Sequence, residues 1–109
     1  MHVVGIRKKL LEQHPWLAAS VYKAFSQARD FAASDLARRA QLRVILPWVE
    51  EDVDRVKEVM GTNYWPYGVQ DNIKSIEALL RYEWDQGLIP RKMTCEDIFA
   101  KTTIEVSRI

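Results

Sequence analysis

At 109 residues the chain is long enough for one domain with a modest core and too short for a second. Its 16 basic and 15 acidic residues leave a formal charge of +1, so no net field draws nucleic acid or an anionic membrane. The single cysteine, Cys95, excludes an internal disulfide and a cysteine-rich zinc site, and a reducing, cytoplasmic setting suits it. No apolar run approaches the roughly 20 residues that span a bilayer. Arg7, Lys8 and Lys9 follow the first apolar stretch, where a signal peptide would carry its charge ahead of it.

Val3, Val4 and Ile6 make a short β-branched run closed by charge, which predicts a brief strand at the N-terminus. Such a strand cannot satisfy its own backbone groups and needs a sheet from other sequence or another copy. A helical turn is expected over Lys8 to Glu12. Pro15 suits the first position of a long helix, because its missing N–H has no intrahelical partner there anyway. Leu17, Val21, Ala24, Phe25, Ala28, Phe31 and Ala32 recur at three and four residues and form one stripe, whose alanines suggest close packing against a neighbour. This helix is expected to end near Arg39 or Ala40, and Leu42 to Leu46 reads equally as a further turn or an extended connector.

Pro47 opens a third helix in the same way, with Glu50, Glu51 and Asp52 where negative charge complements the helix dipole. Val49, Val53, Val56 and Met60 make its apolar face, and Gly61 stops it. A polar loop from Thr62 follows, containing Trp65-Pro66-Tyr67-Gly68. Two aromatics held by a proline and released by a glycine make a stiff loop that can present a ring and a phenol. Ile73, Ile76, Leu79, Leu80 and Trp84 form the stripe of a fourth helix, closed by Gly87 with Leu88 placed for the apolar contact of a left-handed cap. Thr94 with Asp97 three positions on reads as a capping box opening a short last helix.

The block from Val69 to Tyr82, continued by Gln86-Gly87-Leu88, resembles the C-terminal part of the 4,5-dihydroxyphthalate decarboxylase family. Met1-His2-Val3-Val4-Gly5-Ile6-Arg7 is similar to the strand that opens the family's last third, and His14-Pro15-Trp16 with Tyr22 and Phe25 to its next helix. Leu42 to Trp48, Met60-Gly61, Thr94 and Glu96-Asp97-Ile98-Phe99 fall in the family's order as well. The resemblance implies a C-terminal fragment of a larger two-lobed protein, folded here as one domain over residues 1–109. The expected fold is mostly α, with four to five helices and one short N-terminal strand. It resembles the C-terminal portion of a type II periplasmic-binding-protein-like α/β fold. There are two departures: Ile73 stands where the family tends to carry a basic residue, and the tail from Thr102 to Ile109 matches nothing in it.

The reaction implied by the resemblance is loss of CO2 from an aromatic dicarboxylate bearing two adjacent hydroxyls, giving 3,4-dihydroxybenzoate; no cofactor or metal site is expected from the residues of this chain. It needs a proton donor near the ring, partners for the hydroxyls, and cationic or N–H groups for the retained carboxylate. His2 is the expected proton carrier, since imidazole titrates near neutral pH. Trp65 is placed to stack on the ring and Tyr67 to donate its phenol, although both rings serve equally as plugs between helices. Asn72, read as the start of the fourth helix, either binds a carboxylate beside backbone N–H groups or simply caps. His14 reads as a helix-start residue, Trp16, Trp48 and Trp84 as core, and Cys95 as too isolated for a nucleophile. Spacing offers no HxxxH, CxxC or glycine-rich phosphate loop. The expected partner is a small aromatic carboxylate, with neither nucleic acid nor membrane. Two other readings stand beside it: a non-enzymatic solute-binding protein on the same scaffold, and a helical module that self-associates as a homo-oligomer through its apolar stripes.

Overall fold

The helical periodicity of the sequence is realised as six helices among residues 2–37 and 45–106, which the computed structural model describes: α1 (Lys8–Gln13), α2 (Leu17–Ala37), α3 (Val49–Met60), α4 (Val69–Asp85), α5 (Cys95–Ile98) and α6 (Lys101–Val106). The expected end of the second helix, residues 42–44 of the stretch that follows it and the last three residues lie outside those described, whereas Ile45 and Leu46 are irregular and exposed. The chain divides into two compact units, Met1–Lys23 with Tyr67–Ile109, and Ala24–Pro66.

The N-terminal strand does not form: residues 2–6 are irregular, and no strand occurs among the described residues. A β-branched run becomes a strand only when a second backbone accepts and donates along it, and none of the described residues supplies one. Val3 and Val4 are accordingly left exposed.

The first unit owes its cohesion to α4. Val69, Ile76 and Leu80 recur along one face of that helix and are buried with Cys95 of α5, while Ile73, Met93, Phe99 and Ile104 pack around them. The capping box at Thr94 forms as expected: the carboxylate of Asp97 accepts the Thr94 backbone N–H at 2.8 Å and its hydroxyl at 3.1 Å. At the other end of α4 the Leu88 N–H reaches the Glu83 carbonyl at 2.8 Å and the Gly87 N–H reaches Trp84 at 3.0 Å. With Gly87 at φ 70° this is the expected left-handed cap. Its apolar contact is missing: Leu88 is 69% exposed.

The second unit contains the rest of α2 and all of α3, and it has no buried residue among those described. The α3 ends match expectation. Its first turn carries Glu50, Glu51 and Asp52, and Gly61 ends it at φ 81° with its N–H on the Lys57 carbonyl.

Pro15 and Pro47 each sit two positions before the first helical residue, which the sequence suggests they would occupy. Each occupies the second position of a turn, closed by Leu17 N–H on the His14 carbonyl (3.0 Å) and by Val49 N–H on the Leu46 carbonyl (3.4 Å). A fixed φ near −65° serves that position as well as the first helical one, so the helices begin two residues later. Trp16 and Trp48 therefore fall in turns, not in a core, and both are exposed, as is Trp84. Trp48 adopts φ 59°, a left-handed conformation taken by no other non-glycine residue among those described.

Candidate functional site

Gly68 sets the geometry of the Tyr67–Asn72 segment. It is the N-cap of α4 at φ 101°, ψ 161°, a backbone region that is essentially glycine-only. This conformation starts the helix at Val69, whose side chain goes straight into the core. Asn72 consequently lies within the first turn of α4 and is not its cap. Its side-chain amide donates to the Gly68 carbonyl at 2.9 Å, tying the helix back to its own entrance.

The preceding residue is held from another direction. The Tyr22 hydroxyl of α2 donates to the Tyr67 carbonyl at 3.4 Å. Tyr67 is half-buried, so its phenol projects from a backbone fixed on both sides. The first-turn N–H groups of a helix have no intrahelical acceptor, and α4 opens without a side-chain cap, with Asp71 contributing negative charge in the turn. A phenol, an amide and a row of N–H donors are groups that hold a carboxylate or a ring hydroxyl.

The other expected residues lie elsewhere in the fold. Trp65 belongs to the second unit, in the loop after α3, and its indole is 64% exposed. His2 is exposed in the irregular segment before α1, and no hydrogen bond or ring contact joins it to Tyr67 or Asn72. His14 caps the end of α1 with its N–H on the Leu10 carbonyl, and its ring meets Trp16 edge-on at 5.9 Å. Cys95 is buried, and burial pushes its thiol pKa up, with Glu77 and Glu96 adding to the effect. A thiol held protonated in this way is a core group and a poor nucleophile. Among the described residues no three His, Cys, Asp or Glu side chains cluster as a metal would require, and no helix is long and apolar enough to cross a membrane.

Two features escape sequence reasoning. The tie from Tyr22 to residue 67 spans 45 positions and leaves no local signal. The Arg91 guanidinium donates to Asp97 at 2.8 Å and, with the two donors of Thr94, holds that carboxyl well below the usual carboxylate range. Only the Thr94–Asp97 half of that group has a recognisable spacing.

Over its whole length the chain is similar, at 31% identity, to a protein of Comamonas testosteroni named 4,5-dihydroxyphthalate decarboxylase. It spans 33% of that protein, about a third of the length of the curated relative it matches. No family model matches the chain, and no solved structure matches it.

Proposed function

We propose that the chain is the C-terminal part of a 4,5-dihydroxyphthalate decarboxylase-like enzyme with a two-lobed, periplasmic-binding-protein-like fold. The observation that carries this reading is the unbroken similarity to one third of the Comamonas testosteroni protein. The substrate class is an aromatic dicarboxylate with two adjacent hydroxyls. In the reaction the ring carbon bearing one carboxylate takes a proton, the bond to that carboxylate breaks, and its electron pair returns to the ring as CO2 leaves. The product is 3,4-dihydroxybenzoate.

In this reading Tyr67 donates to a substrate hydroxyl or carboxylate, Asn72 and the first turn of α4 favour the retained carboxylate, Trp65 stacks on the ring, and His2 carries the proton. The chain alone is inactive, because the remaining two thirds of a protein of the relative's length supply groups that complete the site.

A tryptophan-fluorescence titration of the folded chain with 4,5-dihydroxyphthalate tests the reading, with phthalate and 3,4-dihydroxybenzoate as comparators. Saturable quenching that prefers the dihydroxy dicarboxylate, disappears in Trp65→Phe and weakens in Tyr67→Phe is the expected result. Equal quenching by all three ligands, or none, rejects substrate recognition by these residues.

A further inference from the structure

Two side chains hold consecutive peptides at the entrance of α4. The Asn72 amide donates to the Gly68 carbonyl at 2.9 Å and restrains the peptide between residues 68 and 69. The Tyr22 hydroxyl donates to the Tyr67 carbonyl at 3.4 Å and engages the peptide before it. Tyr22 comes from α2, one turn after Ala18, the buried residue of that helix, so its phenol rises from an anchored face. Both tyrosines belong to the first unit.

The peptide between Tyr67 and Gly68 has a second orientation open to it. Turning that plane over changes ψ of Tyr67, for which both main ranges are allowed, and φ of Gly68, and leaves the flanking residues in place. Gly68 stands at φ 101° and ψ 161°. The turned peptide would bring its φ to about −80°, in the extended region that helix N-caps ordinarily occupy. Glycine populates both signs of φ about equally, so the residue itself does not choose between the two orientations. The Tyr22 hydroxyl does choose, because the turned peptide points the Tyr67 carbonyl away from it and loses the hydrogen bond.

We infer that Tyr22 is a positioning residue of the candidate site: its hydrogen bond keeps the Tyr67–Gly68 peptide in the orientation that offers the Gly68 N–H to a bound carboxylate. In a trans peptide the carbonyl and the N–H point in opposite directions, so holding the Tyr67 oxygen toward Tyr22 sends the Gly68 N–H to the other side of the plane. That N–H is one of the donors at a helix start that have no intrahelical acceptor. A turned peptide puts a carbonyl oxygen in its place, which has no proton to give an anion. Tyr22 acts through the peptide and needs no contact with the ligand. The proposal rests on the reading in which Tyr67, Asn72 and the first turn of α4 bind a carboxylate.

The test compares the intact chain with Tyr22→Phe and with Tyr82→Phe, which removes the hydroxyl of an exposed tyrosine of α4. Without ligand, the nuclear Overhauser effect between the Tyr67 Hα and the Gly68 N–H reads ψ of Tyr67. Its intensity should change in Tyr22→Phe and stay at the wild-type value in Tyr82→Phe, with helicity by circular dichroism unchanged in both. In a tryptophan-fluorescence titration with 4,5-dihydroxyphthalate, Tyr22→Phe should bind about two- to tenfold more weakly, the worth of one hydrogen bond. Tyr82→Phe should bind as wild type. An unchanged Overhauser effect in Tyr22→Phe overturns the proposal. So does a change accompanied by wild-type affinity, or an equal effect of Tyr82→Phe. A wild-type chain that binds no dihydroxyphthalate rejects the decarboxylase reading instead; the recognition role of Tyr22 falls with it, and the Overhauser effect alone then decides whether Tyr22 holds the peptide.

Discussion

The two units differ in what their apolar residues touch. In the first, α4 places Val69, Ile76 and Leu80 against Cys95 with Ile73, Met93, Phe99 and Ile104 around them. In the second, the part of α2 from Ala24 on and all of α3 carry apolar stripes with no buried residue among those described, and Val59 is 80% exposed. Periodicity makes a helix amphipathic, but only a partner turns that amphipathicity into stability. A helix of 12 residues such as α3 is marginal alone in water, so the second unit depends on whatever covers it far more than the first.

The largest expected contrast is therefore between equivalent truncations. Leu80→Ala should cost about 2–4 kcal/mol through lost burial and the cavity left behind. Val59→Ala should change stability by less than about 0.5 kcal/mol, as for an ordinary surface site. Urea unfolding followed by circular dichroism compares them, and equal losses would show that α3 is covered after all. Next in size is Gly68→Ala. Its backbone at φ 101° forces a side chain into strain of about 1–3 kcal/mol. Because Gly68 launches α4, the substitution should also weaken whatever Tyr67 and Asn72 bind. A Gly68→Ala chain with wild-type stability would mean that the α4 entrance is not held as described.

The same contrast explains what the sequence disclosed. The helix of Val69 to Asp85 is legible because its stripe, its glycine cap and the Thr94 capping box are local patterns, although of the stripe only Ile73, Ile76 and Leu80 reach the core while Leu79 and Trp84 stay exposed. The strand at Val3, Val4 and Ile6 was misread because β-branching is a preference that needs a neighbouring strand to act on. The last helix was missed for the opposite reason. Thr102, Thr103, Ile104 and Val106 argue against a helix on propensity, yet α6 forms. Ile104 reaches the core cluster, and the Thr103 hydroxyl and N–H both return to the Ala100 carbonyl, at 2.7 and 2.9 Å. At the candidate site the residue types were readable, but the register was not. Asn72 looks like a cap, and only the unusual backbone of Gly68 moves it inside the helix.

Within the first unit, Asp97 gives a pH signature. The Arg91 hydrogen bond first, and then the Thr94 donors, depress the folded-state pKa of this carboxyl. A depressed carboxyl contributes stability that is complete above its unfolded value of about 3.9 and is lost as pH falls through the folded value. Unfolding midpoints should stay level above about pH 5 and drop below about pH 4. Asp97→Asn should be less stable at neutral pH and should show a shallower acid drop. Thr94→Ala, which removes the hydroxyl half of the cap, should cost about 1 kcal/mol.

The smallest effect separates the two Pro-Trp turns. Trp48 pays for a left-handed backbone at φ 59° in the turn that opens α3, whereas Trp16 occupies the matching place before α2 with no positive φ. Glycine at position 48 removes roughly 1–2 kcal/mol of left-handed strain and returns about 0.4–1 kcal/mol through the freer unfolded chain. Trp48→Gly should therefore raise α3 stability by between zero and about 1.6 kcal/mol, visible as slower amide exchange from Asp52 to Met60. At Trp16 there is no strain to relieve, and the edge-on contact with His14 is lost, so Trp16→Gly should speed exchange at the start of α2. Opposite signs from the same substitution in two turns of the same spacing would locate the difference in backbone φ and not in the tryptophan. Equal signs would mean that the Trp48 strain is absorbed elsewhere in the second unit.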